Sequence, residues 1–81
     1  MELKEMKLEN KIIFIIIKDN ANDSNLSTIS ISEIIQECGR LFDITRKRVS
    51  LIIKDLVNNN LLSIVEKGTG RNTKTTYLIN K

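Results

Sequence analysis

The sequence contains no histidine, no proline and no tryptophan, and its single cysteine is Cys38. One cysteine cannot form an internal disulfide, and a chain without histidine lacks the usual ligands of a zinc site, so we expect neither a metal nor a cofactor. An unpaired thiol suits a reducing compartment, which predicts a cytoplasmic protein. Because no nucleophile lies in a recognisable pattern with a base, we also expect that the protein is not an enzyme.

Long apolar runs are missing as well. The longest, residues 12–17, is far shorter than the roughly 20 residues that a membrane-spanning helix needs, and the alternating charges of residues 1–5 are unlike a secretory signal peptide. Aromatic residues make up only 4% of the chain, against 41% for all hydrophobic residues. Ile, Leu and Val must therefore fill the core of what we expect to be one domain over residues 1–81.

The charge is distributed unevenly along the chain, although its net value is only +3. Residues 1–44 carry five Lys or Arg against eight Asp or Glu, whereas residues 45–81 carry eight Lys or Arg against two acidic residues. A C-terminal half this basic is expected to face an anionic partner. A solvated basic surface with no partner is the alternative.

The apolar residues between positions 3 and 18 predict a first helix, because they fall into two stripes at helical spacing. The stripes are Leu3, Met6, Ile13 and Ile17 on one side and Leu8, Ile12, Ile15 and Ile16 on the other. A strand over residues 12–17 is the alternative, since β-branched residues favour sheets. A helix that is apolar on two sides needs two surfaces to pack against, one for each apolar stripe. The core of the domain is one of these surfaces, and a second copy of the chain would supply the other, which predicts a homodimer through helix 1.

A polar stretch over residues 19–25, rich in Asn, Asp and Ser, predicts a loop. We expect a short strand near residues 27–29 and then a second helix from about Ile31 to Phe42. Ser30 and Glu33 have the spacing of a capping box at the start of this helix, whereas Gly39 weakens its last turn.

A third helix is predicted from Arg46 to about Asn58, with Thr45 as a favourable N-cap. Residues 58–60 are all Asn and predict the end of the helix, because Asn tolerates the left-handed backbone conformation common at that point. At about 100° per residue, helix 3 separates into two faces. The apolar face contains Val49, Ile52, Ile53 and Leu56, and the other contains Arg46, Lys47, Ser50 and Lys54.

The first turn of helix 3 contains three consecutive cations, Arg46, Lys47 and Arg48. A cation at this positive end of the helix dipole is unfavourable by about 0.3–1 kcal/mol before solvent screening. Folding alone would favour Asp or Glu there. The basic turn therefore predicts a bound anion, and a phosphate suits a helix N-terminus. The alternative is a basic surface cluster that the fold tolerates.

Residues 61–65 and 75–79 predict the two strands of a hairpin. Its long tip contains Lys67, Arg71 and Lys74, and the glycines at 68 and 70 allow the backbone to pass close to another molecule. We predict that this basic tip contacts phosphates or reaches the minor groove; an ordinary hairpin kept soluble by its charges is the alternative.

Other candidate residues predict structure rather than chemistry. Cys38 lies on the apolar stripe of helix 2 and is expected to be buried. Tyr77 is expected in the core with its hydroxyl at the edge. The stretch from Gly68 to Arg71 lacks the ending of a phosphate-binding loop, so a nucleotide is not expected.

Residues 32–79 resemble the winged helix-turn-helix superfamily of DNA-binding proteins. The similar segments are the turn Phe42-Asp43-Ile44-Thr45, the helix start Arg46-Lys47-Arg48-Val49-Ser50, the helix end over residues 56–62, and residues 70–78, which are similar to the wing. The resemblance implies an α+β fold of three helices and a C-terminal β-hairpin wing. It also implies double-stranded DNA as the partner, with a recognition helix over about residues 45–58 and a wing over about residues 66–75.

The resemblance also implies roles for single residues. Arg46, Lys47, Ser50 and Lys54 would face the major groove, from a helix that begins at Thr45. Phosphates would be held by Arg48 and by the wing residues Lys67, Arg71 and Lys74.

Three biological roles are compatible with this resemblance. The first is a small transcriptional repressor that is dimeric through helix 1. The second is a partition adaptor of the TubR type, which couples plasmid or phage DNA to a filament-forming partner protein. The third is a winged helix used only for protein–protein contact, against which the basic first turn of helix 3 argues.

Overall fold

The computed structural model describes residues 6–68 and 73–80, and in this part of the chain it contains three α-helices and one three-stranded antiparallel sheet. The elements follow in the order α1 (Leu8–Asp19), β1 (Leu26–Ile29), α2 (Ile31–Cys38), α3 (Arg46–Asn58), β2 (Leu62–Glu66) and β3 (Thr75–Ile79). The predicted α+β class is confirmed. None of the helices in these two ranges has the length and apolar character needed to cross a membrane.

Helix α1 begins later than the sequence predicted. Its first residue is Leu8 rather than residue 3, because the backbone of Lys7 is extended (φ −61°, ψ 150°) and therefore not helical. Met6, only 7% exposed, packs into the core ahead of the helix. Residues 3–5, which the prediction included, lie outside the described part of the chain. The alternative of a strand over residues 12–17 is wrong, since all of them are helical.

Helix α2 begins with the predicted capping box. The Glu33 amide donates to the Ser30 hydroxyl at 3.1 Å, and the Ser30 amide donates to the Glu33 carboxylate at 3.2 Å. The predicted end at Phe42 is wrong, because the helix stops at Cys38 with Gly39 as its C-cap. The amides of Leu41 and Phe42 both donate to the Cys38 carbonyl, at 2.8 and 2.9 Å, so the chain turns away there.

Helix α3 has the bounds that the sequence predicted. The Thr45 side chain caps its start by accepting from the Arg48 amide at 3.2 Å. At its end, the amide of Asn60 donates to the Val57 carbonyl and the amide of Leu61 to the Leu56 carbonyl, both at 3.0 Å. This pair of bonds is a Schellman motif, which needs a left-handed residue. Asn60 supplies it with a φ of 62°.

The sheet has the strand order β1-β3-β2, so the C-terminal strand lies in the middle. Ser27 of β1 and Ile64 of β2 both pair with Tyr77 of β3. An irregularity between Ile64 and Glu66 interrupts the β2–β3 ladder at Val65, whose side chain is 58% exposed. Strand β2 begins at Leu62, one residue after the predicted start, because the Leu61 amide donates to the Leu56 carbonyl in the turn that follows α3.

One apolar core lies between the three helices and the sheet. The helices contribute Ile13, Phe14, Ile17, Ile34, Cys38, Val49, Ile52, Ile53 and Leu56, and the strands contribute Ile29, Leu62, Tyr77 and Ile79. The predicted apolar face of α3 is therefore confirmed as its buried face. Since this face is held against the core, the basic face of α3 points outward.

Candidate nucleic-acid interface

The exposed face of α3 brings together the side chains that the sequence placed on it. Arg46, Lys47, Ser50 and Lys54 are all exposed. The first turn of the helix contains no acidic residue, so nothing in that turn offsets the positive end of the helix dipole. This combination of a helix N-terminus without acidic side chains and a cluster of cationic side chains favours an anion at the surface of α3.

A cleft of about 480 Å³ separates α3 from the hairpin formed by β2 and β3. Arg46, Ser50 and Lys54 line it on the helix side, and Lys67 lines it on the hairpin side. None of the described residues that line this cleft is acidic. The fold therefore joins the cations of α3 to a cation that lies far away in the sequence.

Gly68 sets how closely the two sides of the hairpin approach beside this cleft. A Cβ atom at this position would lie 2.6 Å from the backbone oxygen of Lys74, which is too close for any other residue without a backbone shift. The Gly68 amide also donates to the Thr75 hydroxyl at 3.2 Å. These contacts hold the adjacent Lys67 at the cleft.

Arg46 is positioned by the helix before it. Its guanidinium donates to the hydroxyl of Ser32 in the first turn of α2. The side chain therefore bridges the N-terminal ends of α2 and α3 and remains exposed at the mouth of the cleft.

Two of the predicted phosphate ligands have acidic partners in the structure. Arg48 lies on the side of α3 that faces α1, and its Nε atom is 3.3 Å from Oε2 of Glu9. The Lys74 ammonium is 3.5 Å from Oε1 of Glu33. Neither Arg48 nor Lys74 lines the cleft. A phosphate at either side chain would have to compete with a carboxylate.

The chain matches no protein-family model, and neither the curated proteins nor the solved structures contain a match to it. A function is therefore inferred from the geometry of the described residues.

The remaining predicted residues have different surroundings. Lys47 is exposed but does not line the cleft. The Thr45 hydroxyl accepts a hydrogen bond from the Arg48 amide, so its first role is to cap the N-terminus of α3. Arg71, like residues 69, 70 and 72, lies outside the described residues.

The sequence did not single out several residues that shape this site. Ile31 and Ile64 line the cleft with Tyr77, and Ser32 holds Arg46. No local pattern could have found them, because they come from three segments that meet only in the folded chain. Tyr77 is as buried as predicted, at 3% exposed, and burial raises the pKa of its hydroxyl.

The ion pair beside the hairpin also affects Glu33. The hydrogen bond from the Ser30 backbone amide lowers the pKa of the Glu33 carboxyl below its ordinary value of 4.5, and the Ser30 hydroxyl and Lys74 ammonium lower it further. Glu33 is therefore a carboxylate at neutral pH, which keeps Lys74 close to the start of α2.

Proposed function

We propose that the protein binds double-stranded DNA as a winged helix-turn-helix, with α2 and α3 as the helix pair and the β2–β3 hairpin as the wing. The observation that supports this most is the exposed basic face of α3, whose first turn contains no acidic residue and which shares a cleft with Lys67 of the hairpin. With 13 residues, α3 is about 20 Å long. A helix of this size enters the major groove of B-DNA, which is about 12 Å wide.

The roles of the side chains follow from their positions. Arg46, Lys47 and Ser50, at and near the start of α3, contact base edges, as is usual for the N-terminal residues of a recognition helix. Lys54 and Lys67 bind phosphates on either side of the cleft. Arg48 and Lys74 add less than the sequence predicted, because Glu9 and Glu33 already neutralise them.

The first experiment is a salt titration of binding to random duplex DNA, with fluorescence anisotropy as the readout. The logarithm of the affinity should fall linearly with the logarithm of the salt concentration, with a slope of about 0.9 for each phosphate neutralised. The double variant Arg46→Ala/Lys47→Ala should bind more weakly and with a smaller slope. Lys18→Ala, which removes an exposed charge at the end of α1, is the matched control.

Either of two outcomes would overturn the proposal. Absence of binding even at low salt would leave the basic face without DNA as its partner and would favour a winged helix used for protein contact. Equal affinities for the double variant and the wild type would show that α3 does not contact DNA.

We also propose that the protein acts as a homodimer through α1. Leu8 is 71% exposed and Leu41 is 68% exposed, and both line a groove of about 680 Å³ together with Ile12 and Phe42. The acidic residues Glu9 and Asp43 also line this groove. Exposed apolar patches on a small domain mark interaction surfaces. A twofold dimer would bring two copies of α3 to DNA half-sites about 10 bp apart, or a multiple of that spacing.

The association is tested by equilibrium sedimentation of the wild type and of Leu8→Glu. The wild type should form dimers and the variant should remain monomeric, while their circular dichroism spectra agree. A wild-type monomer at high concentration would remove the dimer from the proposal.

The simplest biological consequence is repression, in which a bound dimer occludes a promoter. Reporter expression from a promoter that contains the selected site should fall when the protein is present. A filament-forming protein that co-purifies with the DNA-bound dimer would replace repression with the TubR-type role.

A further inference from the structure

The cleft between α3 and the hairpin has an apolar floor as well as a basic rim. Ile53 and Tyr77 are the most buried of the apolar residues that line it, at only 6% and 3% exposed. Ile31, Val57 and Ile64 continue the apolar surface outward, and Ile64 remains 44% exposed. Ile53 and Tyr77 also belong to the core, whereas Ile64 lies outside it, and a surface that only binds phosphates has no need of an exposed isoleucine there.

The size and charge of the cleft limit what it can hold. Its volume of about 480 Å³ lies in the range of small-molecule sites, roughly 300–1,000 Å³. The polar side chains that line it are the cations Arg46, Lys54 and Lys67 and the hydroxyl-bearing residues Ser50, Thr73, Thr75 and Tyr77. Among the described lining residues there is no acid or amide side chain that would recognise a cation or a nucleobase.

We propose that this cleft binds a small amphipathic carboxylate, whose apolar body covers the floor and whose carboxylate lies at Lys54 and Lys67. Burial of the apolar body supplies affinity and the two ammonium groups supply selectivity for a negative charge. A ligand in this position contacts the same surface of α3 as DNA would. The ligand therefore dissociates the protein from DNA, a regulatory step that rests on the proposed function.

The ligand and DNA are expected to compete because they would contact the same residues. Ser50 and Lys54 lie on the face of α3 assigned to the groove and also line the cleft. An anion at Lys54 removes a cation from the DNA surface, and an apolar chain beside Ile64 fills the space between the helix and the hairpin. Ligand and DNA then exclude each other without any change in the fold.

Direct binding is measured with octanoate as the probe and octanol as its uncharged control, both kept below the concentrations at which they aggregate. Tyr77 is the only tyrosine and the chain has no tryptophan, so intrinsic fluorescence reports from the floor of the cleft. Octanoate should change this emission saturably with one molecule bound per chain, and octanol should bind more weakly. Equal affinities for the two, or no saturable change with octanoate, would overturn the proposal.

Variants locate the bound probe. Ile64→Ser should weaken octanoate binding on the order of tenfold, because it removes apolar surface from the floor. Val65→Ser is the matched control on the same strand, since Val65 is 58% exposed and does not line the cleft. Lys54→Gln should weaken octanoate roughly two- to fivefold and leave octanol unchanged. Equal effects of the Ile64 and Val65 changes would place the ligand elsewhere and overturn the assignment.

Competition is measured separately, by titrating octanoate into the complex with labelled duplex DNA. The apparent dissociation constant for DNA should rise in proportion to bound octanoate in the wild type and in Val65→Ser, and much less in Ile64→Ser. If octanoate binds but DNA does not, the proposed function fails and the ligand site remains. If both bind without competing, the regulatory step is wrong.

Discussion

The Nε atom of Arg48 lies 3.3 Å from the Glu9 carboxylate, which joins the first turn of α3 to the first turn of α1. Two residues earlier, Arg46 points the other way and donates to Ser32 of α2. Neighbouring arginines in one helical turn therefore have different surroundings, since each step along the helix rotates the side chain by about 100°. Only one of them lies at the cleft.

This difference predicts unequal effects on DNA binding. Arg46→Ala should weaken binding at a preferred site by about 1–3 kcal/mol. Arg48→Ala should weaken it less, because Glu9 already offsets the charge of Arg48. Anisotropy titrations of both variants at one salt concentration make the comparison, and a larger loss for Arg48→Ala would contradict the assignment.

The same ion pair makes only a small contribution to stability. Both side chains are partly exposed, 41% for Arg48 and 43% for Glu9, and pairs of this kind contribute about 0.2–1 kcal/mol. A double-mutant cycle with Arg48→Ala and Glu9→Gln, measured by urea denaturation, should give a coupling energy in that range. A coupling of several kcal/mol would mean that the pair is far better shielded from water than its exposure indicates.

The N-caps of α2 and α3 should each contribute to folding. Ser30→Ala and Thr45→Ala each remove the hydroxyl that accepts an amide in the first turn, which should cost about 0.5–2 kcal/mol of the free energy of unfolding. Thr45→Ser, which keeps the oxygen, is the control and should recover most of the loss. Equal stabilities for Thr45→Ala and Thr45→Ser would remove the cap as the cause.

The left-handed backbone of Asn60 gives a contrast between two substitutions. Asn60→Ala should lower the free energy of unfolding by about 1–2 kcal/mol relative to Asn60→Gly, because only glycine adopts this conformation without a steric cost. Asn58→Ala, in the last turn of α3, is the control and should leave stability equal or slightly higher. If Asn60→Ala were as stable as Asn60→Gly, the end of α3 would have to adopt another conformation.

Lowering the pH should remove the contribution of the Glu33 carboxylate to the free energy of unfolding. The folded state lowers the pKa of this carboxyl from 4.5, chiefly through the Ser30 amide. The resulting stability is therefore present above about pH 4.5 and is lost as the pH falls through the lower folded value. Glu33→Gln keeps the shape of the capping box without the charge. The stability difference between wild type and Glu33→Gln should shrink on acidification from neutral pH, and a difference that grows instead would contradict the lowered pKa.

The features that could be predicted from the sequence depend on residues close together in the chain. The capping box needs only Ser30 and Glu33, and the end of α3 needs one residue that tolerates a positive φ. The two faces of α3 follow from helical spacing alone. Each of these features is confirmed. They could be predicted because the residues that form them are separated by only a few positions in the sequence.

The ends of α1 and α2 were predicted less well. In both cases the helical spacing of apolar residues extends beyond the helix itself. Met6 is buried in the core although it precedes α1, and the chain turns at Gly39 although apolar residues follow it. Apolar spacing reports which residues can share a face. It does not report where the backbone leaves the helix.

The sequence by itself determined the α+β class, the extent of α3 and the basic character of its outer face, since propensities, caps and helical spacing act locally. Only the tertiary structure decided which cations share a surface, because that depends on how distant segments pack. Packing of α1 against α3 pairs Arg48 with Glu9, and the position of the hairpin pairs Lys74 with Glu33. The same packing brings Lys67 and Ile64 opposite Lys54, and so creates a cleft that no single segment contains.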